Sequence, residues 1–238
     1  MAALGLLIVL EGVEGVGKTT QWERLADNLT SIGQTVLAVR EPGGTDAGNA
    51  IRQIVLHSEF TLSGAGEALL FAASRAEIIT HVIQPALLRG ETVLLDRFLL
   101  STYAYQGAGR GLDMNSLKSI NAFATKGITP DVTMLLTLPL KEALARARQR
   151  SQFDRIEREN HEFHARVADA FIGATNYDWQ NSHPECGEIV EIDASGTADE
   201  VTQRCRSFLA QRWPSNFGAL LDHSTRSSAV AAESVGQP

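Results

Sequence analysis

The chain has 238 residues, 44% of them hydrophobic and 21% charged, a length and balance that suit one compact domain carrying at most a small insertion. With 28 acidic against 21 basic residues the net charge is −7, which argues against a broad nucleic-acid footprint and makes any anion site a local cluster of donors. Two cysteines, Cys186 and Cys205, stand in no metal-ligand spacing and cannot build a secreted disulfide framework, so a cytoplasmic setting is expected.

Residues 4–10 are too short an apolar run to span a membrane and carry no basic leader. They read instead as a first buried strand, "LLIVL" at 6–10, followed at once by "EGVEGVGKTT". Gly12, Gly17, Lys18 and Thr19 satisfy the pattern GxxxxGK followed by Ser or Thr. Glycines at 12, 15 and 17 let successive N–H groups of Val13, Glu14, Gly15, Val16 and their neighbours turn inward, and the start of the next helix adds its positive end. Lys18 then reaches the β and γ phosphates of a nucleotide, the Thr19 hydroxyl suits Mg²⁺, and Thr20 continues the phosphate-facing edge. A glycine-rich turn without a ligand is the plain alternative, but the strand before and the amphipathic helix after (19–33, ending on Gly33) are the context such a loop requires.

Further strand-like runs follow at 35–39, 92–96, 132–138 and 188–192, with helical segments between them. The alternation predicts a doubly wound, five-stranded parallel α/β sheet of the P-loop NTPase type flanked by helices. After the second strand, "REPGGT" at 40–45 is a turn through which backbone can approach a ligand closely. "LFAASR" at 70–75 sets Phe71 and Arg75 on one helix face, a ring and a planar donor that together suit a nucleobase; singly they would read as a core residue and a surface ion pair. "LLDRFLLSTYAYQG" at 94–107 ends the third strand with Asp96, suited to Mg²⁺, and Arg97, suited to a phosphate, where open α/β sheets bind ligands. Ser101, Thr102, Tyr105 and Gln106 follow as hydroxyl and amide groups able to read a base edge or close on a sugar. Residues 139–174 read as two helices joined near 151–154, the most mobile part of the chain, and 214–238 as a poorly ordered tail.

Together, "EGVEGVGKTT", "REPGGT", "DRFLLSTYAYQG" and "DRIE" at 154–157, in this order, resemble the thymidylate kinases of the bacterial type over residues 6–213. The resemblance implies one domain over 1–213 with a lid at about 146–158, transfer of the ATP γ-phosphoryl group to dTMP, Mg²⁺ held by Thr19 and Asp96, and a cytoplasmic homodimer with contacts from helices such as 67–89. It implies that Phe71 stacks on thymine, Arg75 donates to its O4, Thr102 sits at the N3 edge beside Ser101, and Tyr105 crowds the sugar 2′ position. Glu14 would reach the 3′-hydroxyl, Arg97 hold the acceptor phosphate, and Glu41 and Pro42 line it, with a cis bond before Pro42. Gly15 stands where eukaryotic-like members carry an arginine, so the lid arginines are expected to compensate: Arg146 toward ATP, Arg150 and Arg155 toward the transferred group, all three from a charged run that as a bare pattern would be a solvated helix face. Thr137, Leu99, Leu100 and the long tail depart from the family pattern. A kinase for a different small acceptor, and a slow nucleotide-dependent switch, are the competing readings. His161 and His164 are expected on the surface, without a third metal ligand, and Cys186 in a polar loop with no adjacent base to make it a nucleophile.

Overall fold

The computed structural model describes residues 4–59, 61–148 and 153–221. Five strands, β1 (Leu7–Glu11), β2 (Val36–Arg40), β3 (Thr92–Asp96), β4 (Val132–Thr137) and β5 (Ile189–Asp193), form one all-parallel sheet in the order β2-β3-β1-β4-β5. Each lies within a residue or so of its predicted run. The three central strands are apolar on both sides because helices cover both faces. Alternate side chains divide between two cores: Leu7 and Val9 of β1 join Val93 and Leu95 on one face, while Ile8 and Leu10 join Leu94 and Met134 on the other. Each such fully buried Val, Leu or Ile contributes roughly 1.5–3 kcal/mol relative to exposure.

The helices follow in chain order. α1 (Lys18–Ser31) leaves the glycine loop, α2 (Asp46–His57) is capped by the Thr45 side chain, and α3 (Gly64–Ile78) by Ser63. A π-helical stretch (Ile79–Ile83) joins α3 to α4 (Gln84–Leu88). After β3, α5 (Leu99–Thr102) passes directly into a second π-helical stretch (Tyr103–Gly109), and α6 (Met114–Thr125) follows. Next come α7 (Leu140–Ala147), α8 (His161–Gly173), α9 (Tyr177–Ser182), α10 (Ala198–Arg212) with a Thr197–Glu200 capping box, and α11 (Pro214–Phe217).

Four expectations change. The segment between α7 and α8 is longer than predicted, because α8 starts only at its Asn160 cap, and part of it (149–152, including Arg150) lies outside the described residues. His164 is buried against Phe163 and is not a surface residue; His161 is exposed. Cys186 is buried rather than set in a polar loop. The start of the supposed tail is structured: α11 and a 3-10 turn at Gly218–Leu220 insert Phe217 and Leu220 into the α1/α10 core, and Arg206 donates to the Leu220 carbonyl. Residues 222–238 lie outside the described ones. Leu99 and Leu100, unusual for the family pattern, are core residues here.

Candidate functional site: a nucleotide cavity at the sheet's carboxyl edge

The carboxyl ends of β1, β2 and β3 open into a cavity of about 450 Å³. The chain turns from Glu11 through residues 12–17 before α1 begins at Lys18. Gly17 caps that helix at φ 94°, and Gly15 holds φ 83° with the Ala143 carbonyl where a side chain would have to go, 1.9 Å from an added Cβ. The packing of α7 therefore leaves no room for a side chain at Gly15. Lys18 Nζ folds back to donate to the carbonyls of Gly12 (2.9 Å) and Val13 (2.8 Å). Burial, with Arg97 nearby, pushes its pKa down to about 8. Glu14, Gly15, Gly17, Lys18, Thr19 and Thr20 line the cavity, whereas Gly12, Val13 and Val16 of the same loop are not on its wall and Val16 is buried.

Arg97, at φ 69° between β3 and α5, is the node of the site. A non-glycine residue in this region is uncommon, and here four partners hold it. Its guanidinium donates to the Gly12 carbonyl (3.0 Å), Ser101 Oγ (3.0 Å), Glu14 and the Tyr105 hydroxyl (3.2 Å), and lies over the Tyr105 ring. Tyr105 in turn donates to Glu14. Against the burial that would raise it, Arg97, Lys18 and the Tyr105 hydroxyl hold Glu14 down to about 2. Beneath them Glu11, fully buried, accepts from the Phe98 and Ser101 amides (2.8 and 3.0 Å) and from Ser101 Oγ (2.6 Å). Burial drives its pKa up, opposed by Arg97.

At the other end of the cavity lie Phe71, Arg75, Thr102 and Gln106. Arg75 is buried, and its five N–H groups are all engaged by protein. Nε and Nη2 face Glu41 (2.8 Å each), Nη1 donates to Thr102 Oγ1 (2.9 Å) and Asn121 Oδ1 (2.8 Å), and Nη2 also donates to the Phe98 carbonyl (3.1 Å). It ties the ends of β2 and β3 to α5 and α6; a bond from Arg75 to a base requires exchanging one of these. Thr102, accepting from Arg75, keeps its own proton to give.

The Glu41–Pro42 bond is cis, as anticipated, and both residues line the cavity. Burial pushes Glu41 up to about 7 despite Arg75. Glu41 Oε1 and Asp96 Oδ1 are buried acceptor oxygens with no hydrogen-bond partner among the described residues. With the Thr19 hydroxyl on the same cavity, this all-oxygen donor set fits Mg²⁺. Among the described residues no cluster of three or more His, Cys, Asp and Glu forms a separate metal site.

Of the lid arginines, Arg146 donates to the Ala194 carbonyl (3.2 Å) and Arg150 lies outside the described residues. Arg155 is absent from the cavity wall: it donates to the Val55 carbonyl (2.8 Å) and to Glu67 (2.5 Å). Its neighbours Asp154, Ile156 and Glu157 do line the cavity.

A model of the thymidylate kinase family matches residues 10–204. The chain belongs to the thymidylate kinase family. It is 43% identical over 208 residues to the thymidylate kinase of Deinococcus radiodurans, covering 87% of this chain and 98% of that protein. It is 45% identical over 207 residues to that of Leifsonia xyli subsp. xyli, covering 85% and 94%. The crystal structure of thymidylate kinase from Ehrlichia chaffeensis superposes with a TM-score of 0.67 at 29% identity, over 86% of this chain and 98% of that one.

In this thymidylate kinase family member, several residues of the cavity escaped the sequence reading. Arg40 and Arg52 add positive charge to the wall, and Arg52 donates to the Pro42 carbonyl (2.9 Å). Glu11, Glu67 and Asn121 hold the lining side chains from behind. Glu11 had one visible signal, an acidic residue ending a buried strand. Arg52, Glu67 and Asn121 sit within ordinary helices, where nothing local separates them from surface residues.

Proposed function

We propose that the chain transfers the γ-phosphoryl group of ATP to dTMP, giving ADP and dTDP. The observation that supports the reading is one cavity lined by two cations, Lys18 at the start of α1 and Arg97 just after the third strand, with Glu14 between them. Two anionic ligands need two such holders, whereas a switch needs only the first. The polyphosphate would lie along the amides of 12–17 and the start of α1, with Lys18 turning from the carbonyls of Gly12 and Val13 to its oxygens. Arg97 would fork onto the acceptor phosphate, and Glu14 and Tyr105 would orient the sugar. Phe71, Arg75, Ser101, Thr102 and Gln106 would enclose the base. Thr19 and Asp96, with Glu41 close behind, would hold Mg²⁺, which when bound neutralises charge on the phosphates. No protein base is required, because the acceptor phosphate is already an anion near neutral pH. ADP release measured with dTMP, dUMP, dCMP, dGMP and thymidine as acceptors tests the reading. Highest turnover with thymidine or a purine monophosphate would reassign the base end, and hydrolysis without any phosphorylated acceptor would favour a switch.

The site makes two side-chain roles testable. Tyr105→Ala removes the ring beneath Arg97 and the hydroxyl on Glu14, so discrimination of dTMP against its ribose counterpart is expected to narrow by about tenfold, the order of one lost steric and polar contact. An unchanged ratio removes Tyr105 from sugar selection. Arg155, in its proposed role on the transferred group, must leave Glu67 as the lid closes. Arg155→Ala is then expected to lower kcat by about 10²-fold or more with little change in KM for dTMP. A rise in KM alone would make it a binding or structural group.

The proposed assembly is a cytoplasmic homodimer. Leu69, Leu88 and Phe123 are 57%, 65% and 88% exposed, apolar side chains on α3, α4 and α6 whose burial a second copy would supply. Light scattering after size exclusion gives the mass directly. Among the described residues no helix is long and apolar enough to cross a membrane.

A further inference from the structure

Glu67 stands in the first turn of α3 and is completely buried, an acidic residue that the phosphate chemistry does not use. Four N–H groups converge on its two oxygens. Gln106 Nε2 (2.9 Å) and Arg110 Nε (3.2 Å) donate to Oε1; Arg110 Nη2 (3.0 Å) and Arg155 Nη2 (2.5 Å) donate to Oε2. Burial opposes ionisation, yet hydrogen bonds from Arg110, Gln106 and Arg155 hold its pKa below the usual value. A carboxylate between two guanidinium groups offers acceptors only.

That fixes something the cavity needs. The side-chain amide of Gln106 has a donor end and an acceptor end, and nothing in Gln106 itself chooses between its two orientations. Glu67 chooses: the nitrogen must face the carboxylate, because the reversed amide would set oxygen against oxygen. The amide oxygen is then the end left for the cavity, which Gln106 lines, and no protein donor meets it among the described residues.

We propose that Glu67 is a specificity-determining positioning residue: by holding the Gln106 amide nitrogen, it presents the amide oxygen to the base and selects a ring that carries an N–H on that edge. Thymine and uracil bring the N3–H; cytosine brings a lone pair at N3, so two acceptors would meet and neither would be paired. The inference rests on reading this cavity as the dTMP acceptor site. Arg110 also binds Glu159 (2.6 Å), and Arg155 is anchored to the end of α2 through the Val55 carbonyl, so the carboxylate that orients the base reader also fastens the segment preceding α8.

The test is kcat/KM for dTMP, dUMP and dCMP in the wild type, Glu67→Gln, Gln106→Met and the double variant. Glu67→Gln supplies both a donor and an acceptor and frees the Gln106 amide to turn. It is expected to narrow the dTMP:dCMP ratio by about tenfold or more while leaving dTMP:dUMP within about twofold, since both of those bases carry N3–H. Gln106→Met, which leaves the arginine partners of Glu67 in place, is expected to narrow the same ratio. The double variant is expected to add nothing further, the signature of two residues acting through one contact.

An unmoved dTMP:dCMP ratio in either single variant, equal loss in both ratios, or losses that multiply in the double variant overturns the proposal. Should Glu67→Gln fail to fold, Glu67→Asp keeps the charge for the arginines and withdraws the oxygens from Gln106; a full wild-type ratio in that folded variant overturns it equally. A wild type that does not phosphorylate dTMP refutes the acceptor-site reading, whereas one that does, with ratios the variants leave alone, refutes only the role of Glu67.

Discussion

Lys18→Ala is expected to lower kcat by about 10²- to 10³-fold, the usual loss when one preorganised donor to a reacting oxygen is removed, with the melting temperature nearly unchanged. The separation of the two effects follows from where the side chain is. Among the described residues its ammonium makes hydrogen bonds only to the carbonyls of Gly12 and Val13, in the loop that would receive the phosphates, and supports no element of the core. Burial pushes it down to about 8, so it carries its charge near neutral pH, and an incoming polyphosphate would hold the proton more firmly. Steady-state turnover and thermal melting of the variant check both halves. Near-normal turnover in the folded variant would remove Lys18 from the chemistry.

Arg97→Ala is expected to damage function and fold together. On the proposed reading the acceptor phosphate would lose its fork, and Glu14 and the buried Glu11 each lose an ion-pair partner. Breaking a buried ion pair from one side costs about 3–5 kcal/mol, because the remaining charge stays unpaired. For a domain of this size each kcal/mol lowers the melting temperature by roughly 2–4 °C, so a fall of about 6–20 °C accompanies the loss of transfer. Arg97→Lys separates the two contributions. It keeps a positive charge beside Glu14 and is expected to recover much of the stability, but it lacks the planar fork that spans Gly12, Ser101, Glu14 and Tyr105, so kcat/KM for dTMP stays low. A lysine variant with wild-type kcat/KM would show that charge alone suffices. An alanine variant as stable as the wild type would mean that Glu11 and Glu14 find other partners or protonate without cost.

The parts of this protein legible in its sequence are those whose cause is local. A phosphate loop is a run of adjacent residues whose glycines permit unusual backbone angles, so Gly12, Gly15, Gly17 and Lys18 declare themselves by spacing alone. The three central strands are visible because burial on both faces demands unbroken apolar runs, and α1 because its apolar period is 3.6. Ser101, Thr102, Tyr105 and Gln106 were identifiable because they share one short helical stretch directly after a strand end.

What only the tertiary structure decided are the contacts between residues far apart in the chain. Arg155 and Glu67 are 88 residues apart, and nothing near either predicts their pairing, by which a buried carboxylate holds the arginine in this structure. Arg75 and Asn121, 46 apart, meet only because α3 and α6 pack together, and that meeting engages one of the N–H groups of Arg75 that the sequence left open for a base. Phe217 and Leu220, in a stretch of small and polar residues, become core because α1 and α10 leave an apolar groove for them. Local sequence determines which backbone conformations and chemical groups are on offer, since steric limits and hydrophobic period act over a few residues. Which group faces which partner, and therefore which hydrogen bonds remain free for a ligand, depends on burial and charge assembled across the whole fold.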